Sequence, residues 1–179
     1  SKLKKKFFDI EIPLIKKETQ LQAHELKELG GRIIRYDLTR LLRGKSMILQ
    51  LKTKIEGENV VALPQKIQIM PYFLRRMLRK GTNYVEDSFS AECKDAIVRI
   101  KPFLVTRRKV SRAIRTALRN KAKEELINYL KNRDAEKVFE DILNNQIQRT
   151  LSSILKKIYP LSLCEIRIFQ IEKEKAKTE

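Results

Sequence analysis

Tryptophan is absent from this chain, histidine occurs once as His24, and the two cysteines, Cys93 and Cys164, show no Cys-x-x-Cys spacing. A lone histidine speaks against a Ser-His-Asp triad and against any His-rich metal site, and His24 reads as an ordinary surface residue. Two isolated cysteines indicate neither a zinc site nor a disulfide framework and fit a reducing compartment. The five glycines never fall in the G-x-x-x-x-G-K or G-x-G-x-x-G pattern, so no phosphate-cradling loop is expected. Carboxylates such as Glu86 and Glu92 lie on outward phases, with no spacing that pairs them for acid–base work. No apolar run approaches the roughly 18 residues that span a bilayer, and the Lys-rich N-terminus lacks the apolar segment of a signal peptide. These absences predict a soluble, cytoplasmic, non-enzymatic protein without metal or cofactor.

Acidic residues are missing from two long windows, 59–85 and 96–123. Over 179 residues, Lys+Arg is 40 against 22 Asp+Glu, a formal net charge of +18 with a pI near 10.0. Such an excess repels itself in a compact state unless something negative is bound. Nucleic acid is the commonest such partner and a membrane surface the main competitor. With 42% hydrophobic residues the chain can bury a core, and its length predicts a single domain over 1–179. Within it, residues 1–6 read as a basic arm and 172–179 as a charged tail.

The densest basic stretch is 107–119. At helical spacing Val110, Ala113, Ile114, Ala117 and Leu118 share one face, while Arg108, Arg112, Arg115 and Arg119 share the opposite one. Like charges at i,i+4 destabilise a helix by roughly 0.2 to 0.5 kcal/mol per pair, so the row is better explained by a polyanion than by the fold. The same pattern also describes a solvated helix face, and the net charge tips the balance. Arg107, Arg108, Lys109, Arg112, Arg115 and Arg119 are therefore the leading phosphate contacts. Arg75, Arg76, Arg79 and Lys80 form a second candidate surface, with Arg99, Lys101 and the arm lysines Lys2, Lys4, Lys5 and Lys6 in support.

Along the chain, residues 7–12 read as a strand stopped by Pro13, 16–29 as a helix with sparse apolar residues, and 32–36 as a strand. Residues 46–55 and 60–70 form a hairpin, Pro64 marking an edge or bulge. A short helix over 70–80 turns Phe73, Leu74, Met77 and Leu78 inward and ends at Gly81. Residues 84–93 and 96–105 pair across the Lys94-Asp95 turn. Past Asn120 the apolar phase slips, predicting a bend or a second helix. A further helix runs from Ala135 to Tyr159, Pro160 stops it, and 163–171 returns as a strand. Strands first, helices after and one strand returning argue for an α+β fold.

Aromatic platforms for stacking bases are few, with five Tyr and seven Phe, many at expected core positions, and no RRM-like Gly-Phe-aromatic motif occurs. Shape and backbone binding to structured RNA is favoured over base reading. A DNA-associated or chromatin-like protein is the rival. A peripheral membrane protein would need large apolar residues beside the arginines, which the Arg108 stripe lacks.

Several stretches together carry a resemblance. Gly31-Arg32, Tyr36-Asp37-Leu38-Thr39, 72–80 with its paired basics, Lys94-Asp95 leading into Val98-Arg99-Ile100, Thr106-Arg107-Arg108, Ala113-Ile114-Arg115, Lys156-Lys157-Ile158-Tyr159-Pro160-Leu161 and Glu165-Ile166-Arg167 stand in an order that resembles the archaeal and eukaryotic small-ribosomal-subunit family eS-one, formerly S-three-a-e. The likeness covers about 31–171, and the compact length resembles an archaeal member. It implies an antiparallel sheet curled into a partial barrel, with helices packed beside it. It also implies a non-catalytic place on the small-subunit platform near the messenger exit. Its partners would be small-subunit rRNA, neighbouring ribosomal proteins and messenger RNA near the exit, with no membrane.

If about eight of these charges neutralise phosphates, affinity for a structured RNA should fall with salt at a log-log slope of roughly −6 to −7. Filter binding across a salt series measures it, and a slope near zero contradicts the electrostatic reading.

Overall fold

A computed structural model describes residues 3–176 and bears out the α+β class. Strands β1 (Lys6–Ile12) and β2 (Lys17–Ala23) form an N-terminal hairpin. The helix expected over 16–29 is not there. Thr19, Leu21 and Ala23 face inward at a period of two, with β1 supplying the ladder, and only a 3₁₀ turn, Leu26–Leu29, follows. Sparse apolar residues could not hold a helix, whereas a strand needs just one buried face.

Strands β3 (Ile33–Asp37), β4 (Met47–Glu56) and β5 (Asn59–Ile69) are a meander. Between β3 and β4, Thr39 donates both its backbone N–H and its hydroxyl to the Asp37 carboxylate, holding that carboxyl below the usual carboxylate range. The tight turn lets Leu38 reach the core. Pro64 sits where the β4–β5 register shifts: Gln50 faces Lys66 but Leu51 faces Pro64. On its other edge β5 pairs with β1 at Val60 and Val61 and with a different strand at 66–68. Pro64 falls in that gap, so its missing N–H breaks no bond.

After helix α1 (Pro71–Met77) come β6 (Tyr84–Glu86), β7 (Phe89–Glu92) and β8 (Ala96–Thr106). The strand expected over 84–93 is thus split, although both pieces keep one register against β8. The break lies opposite Lys101 and Pro102, and Pro102 offers no N–H to bridge it. Between β8 and the last strand, β9 (Leu161–Glu174), the chain inserts helices α2 (Arg112–Lys131), α3 (Ala135–Leu143) and α4 (Gln146–Leu155).

The nine strands described make one open sheet, of order β2-β1-β5-β9-β8-β6, with β3-β4 joined to β5 and β7 to β8. It is mixed rather than wholly antiparallel, since β1 runs parallel to β5. β9 extends to Glu174, so the start of the expected tail over 172–179 is ordered strand, while residues 177–179 lie outside the described residues.

The helices depart from the sequence reading in three ways. Residues 107–111 are a loop, so Arg107, Arg108 and Lys109 do not belong to the helix, whose cap is Ser111 accepting from the Ile114 N–H. Second, α2 runs unbroken through Asn120, because Leu118, Ala122, Leu126 and Leu130 form one buried ridge at every fourth residue. Ala113 and Ala117 stay exposed, so the stripe read from the sequence was rotated from the one that packs. Third, the helix expected over 135–159 is two, broken at Asn145, which adopts the left-handed region (φ 59°) that Asn tolerates.

Buried side chains from both ends of the chain form one cluster. At its centre Phe139 meets Phe169 edge to face, centroids 4.8 Å apart. The Asp95 carboxylate accepts the Ala135 N–H at 2.9 Å, anchoring α3 to the β7–β8 turn in place of its own cap, Asp134, whose side chain makes no capping bond. Lys45 meets Glu165 at 2.6 Å with little exposure of either, pinning the β3–β4 connection to β9.

Phe139→Ala should cost about 3–5 kcal/mol and Asp95→Ala about 1 kcal/mol, read as shifts of the urea midpoint at constant slope. An Asp95→Ala midpoint equal to that of the parent would show that this bond anchors nothing.

Candidate nucleic-acid interface

The arginines of α2 gather at the sheet edge. Arg112, Arg115 and Arg119, with Thr116, line one wall of a cleft of about 250 Å³ whose other wall is β6, Tyr84 to Glu86. The helix lies across β6 and β7 with its ridge inward, and Arg112, Arg115 and Arg119 are exposed. On the far side of β6 a second cleft, also about 250 Å³, is lined by Arg75 of α1, Arg167 of β9, Phe103 and again Tyr84 and Glu86. A third cleft, about 430 Å³, joins Arg76 and Arg79 to Arg107. Two basic stretches far apart in sequence thus meet around one short strand.

The loop carrying Arg107, Arg108 and Lys109 is held by a small polar network. Thr106 is fully buried, and its hydroxyl accepts the Asn83 N–H at 3.0 Å and donates toward the Arg108 carbonyl at 2.7 Å. The Asn83 side-chain oxygen accepts the Val110 N–H at 2.8 Å. The loop is therefore presented in a fixed shape although its three basic side chains are exposed.

Among the described residues, none of Arg75, Arg76, Arg79, Lys80, Arg107, Arg108, Lys109, Arg112, Arg115 or Arg119 lies within ion-pair distance of a carboxylate. Lys80 is exposed just beyond α1, and Arg76 lies 5.4 Å from the ring centroid of exposed Tyr72. Arg99 is different. Its Nε meets Glu172 at 2.5 Å and its other nitrogens donate to Ser88 and Ser90, so the group is already occupied by protein. The Arg99 bond and one donated by the Ser90 hydroxyl hold the Glu172 carboxyl below its usual range. Lys101 is half-buried in β8.

The N-terminal lysines are not brought to this site. Lys4, Lys5 and Lys6 are exposed near the β1–β2 hairpin, at the opposite end of the strand order from β6, and Lys2 lies outside the described residues. Lys5 lines a separate recess with half-buried His24, Glu25, Glu28 and Leu3. No group of His, Cys, Asp and Glu fit for a metal occurs among the described residues, and none of their helices is long and apolar enough to cross a membrane. Burial pushes both thiols, Cys93 and Cys164, up to about 12, which leaves them protonated near neutrality.

The sequence reading did not place Tyr84, Tyr72 or Arg167 among its candidates, and the structure sets them beside the basic residues. Tyr84 is 54% exposed and stacks on buried Phe103, centroids 5.9 Å apart at 15°. Its outward phase in the 84–93 alternation was the available signal. What that phase cannot show is which helices flank the strand.

Thr106→Val should unfasten the loop, costing about 1–3 kcal/mol of stability and weakening RNA binding, whereas Arg99→Gln should cost below about 1 kcal/mol and leave RNA affinity within twofold. Thermal melts and filter binding check both. A large affinity loss in Arg99→Gln would return that residue to the interface.

The comparisons with known proteins agree with one another. The model of the ribosomal S3Ae family matches residues 2–175. The chain is 29% identical over 178 residues to the small ribosomal subunit protein eS1 of Nanoarchaeum equitans, covering 94% of this chain and 89% of that one. It is 24% identical over 159 residues to the protein of the same name from Pyrobaculum aerophilum, covering 86% and 72%. Matched over nearly its whole length, the chain belongs to the ribosomal S3Ae family.

Proposed function

We propose that the chain is a structural constituent of the small ribosomal subunit. It takes part in translation by binding rRNA through the surface built from α1, β6, the 107–111 loop and the first half of α2. The observation that carries this is the gathering of Arg75, Arg76, Arg79, Arg107, Arg112, Arg115 and Arg119 in three clefts, two of them sharing Tyr84 and Glu86, without a carboxylate in ion-pair reach among the described residues. Guanidinium groups left open on a chain of +18 favour a polyanion, and phosphate neutralisation relieves their mutual repulsion. Membership of a ribosomal family favours RNA over DNA.

The rest of the reading follows from that family. The chain acts as one domain whose open sheet curls as a partial barrel. It sits on the platform near the messenger exit, beside rRNA, neighbouring ribosomal proteins and messenger RNA, in the cytoplasm and without catalysis. The lysines at 4–6 would touch a neighbour separate from the one at β6, since the sheet holds the two regions apart.

Sedimentation of cell extract should place the protein in small-subunit fractions, and crosslinking should give rRNA adducts at the α2 arginines. Recovery mainly outside those fractions, or DNA adducts outnumbering rRNA adducts, overturns the proposal. Arg112→Gln, Arg115→Gln and Arg119→Gln combined should lower the magnitude of the salt slope by about 2 to 3.

A further inference from the structure

We propose that Tyr84 and Glu86 form a recognition site for one unpaired guanine of an RNA strand, whose flanking phosphates are held by Arg112, Arg115 and Arg119. The inference rests on the RNA-binding reading above and adds to it a specific base. Phosphate contacts alone leave two features of the cleft without a purpose.

One feature is the ring. An aromatic side chain 54% exposed amid arginines is poorly suited to a purely electrostatic surface, yet Tyr84 is held in place by its stack on Phe103, itself only 3% exposed. A fixed, open ring on an edge strand is what an unstacked base needs as a platform, and among the described residues no further strand pairs with β6 on its outer side. The cleft beside it, about 250 Å³, is smaller than the roughly 300–1,000 Å³ of drug-sized ligand sites and suits one base rather than a folded ligand.

The other feature is the carboxylate. Glu86 lies on the same face of the strand two residues on, lines the same two clefts, and is exposed. Among the described residues it accepts no side-chain hydrogen bond and pairs with none of the neighbouring arginines. Beside phosphates such a charge is unfavourable unless it accepts something in return. A carboxylate only accepts, and guanine alone presents two adjacent donors, N1–H and the N2 amino group, on its Watson–Crick edge. Adenine and cytosine each set an acceptor beside their single amino group, and uracil flanks its one N–H with two carbonyl oxygens, so each would aim an oxygen or ring nitrogen lone pair at Glu86.

The test is fluorescence anisotropy of the full chain with end-labelled heptauridylate and with its variants carrying a central guanine, adenine or cytosine. The guanine heptamer should bind about tenfold more tightly than the other three. Tyr84→Ala should weaken the guanine heptamer about tenfold, Tyr84→Phe should preserve it, and Glu86→Gln should bring the four heptamers to similar affinity. Equal binding of the four by the parent protein, or a guanine heptamer bound as tightly by Tyr84→Ala, overturns the site. Arg112→Gln with Arg119→Gln separates the two readings. If that pair weakens all four heptamers alike while guanine shows no advantage, only the base site falls. If it changes neither affinity nor salt slope, the phosphate-binding reading falls with it.

Discussion

The ladder between β8 and β9 is the interaction on which the rest of the molecule depends. It pairs Ala96 with Glu174 at one end and Thr106 with Leu161 at the other, closing a loop that contains all three long helices. Their apolar faces have somewhere to go because that ladder presents Ile100, Leu104, Ile166 and Phe169 as one buried surface, with Phe139 set against Phe169. β6 and β7 use the other edge of β8, and β9 reaches β5, so the ladder also couples the helical half to the N-terminal meander. Register shifts at Val98, Pro102 and Thr106 let two long strands stay paired.

The candidate face grows out of the end of that ladder. Where β8 stops at Thr106, its buried hydroxyl organises the next turn, and the loop delivers α2 across β6. Charge that would be unfavourable in a free helix is tolerated because the ridge from Leu118 to Leu130 anchors the helix from beneath. Stability comes from the apolar side of α2, and the arginine side is left exposed. Three carboxylates serve the scaffold instead: Glu165, Glu172 and Asp95 hold it together through Lys45, Arg99 and the α3 N-terminus.

Much of the scaffold was legible in the sequence wherever one periodicity was strong. The β4–β5 hairpin, the Pro64 bulge, the short α1, the β7–β8 turn and the returning β9 could all be read, because alternation and turn residues agreed. The reading failed where local signals were weak or shared. Thr19, Leu21 and Ala23 form a strand face too slight to recognise without β1 beside it, and Asn145 breaks a helix whose apolar spacing continues on both sides. For the interface, the basic residues were visible as unbroken acid-free windows. Two details were not: Arg99 satisfied by Glu172, and Tyr84 placed among the arginines of another element.

By itself the sequence determined the sign and density of the charge, the α+β class and where the basic residues cluster, since these follow from composition and from contacts a few residues long. Which arginines share a surface, which is already spent on a carboxylate, and that an exposed ring lies between them were decided only by tertiary structure. The reason is that β6, α1, α2 and β9 become neighbours through the β8–β9 ladder, and hydrogen bonding across more than fifty residues of chain leaves no periodic trace in the sequence.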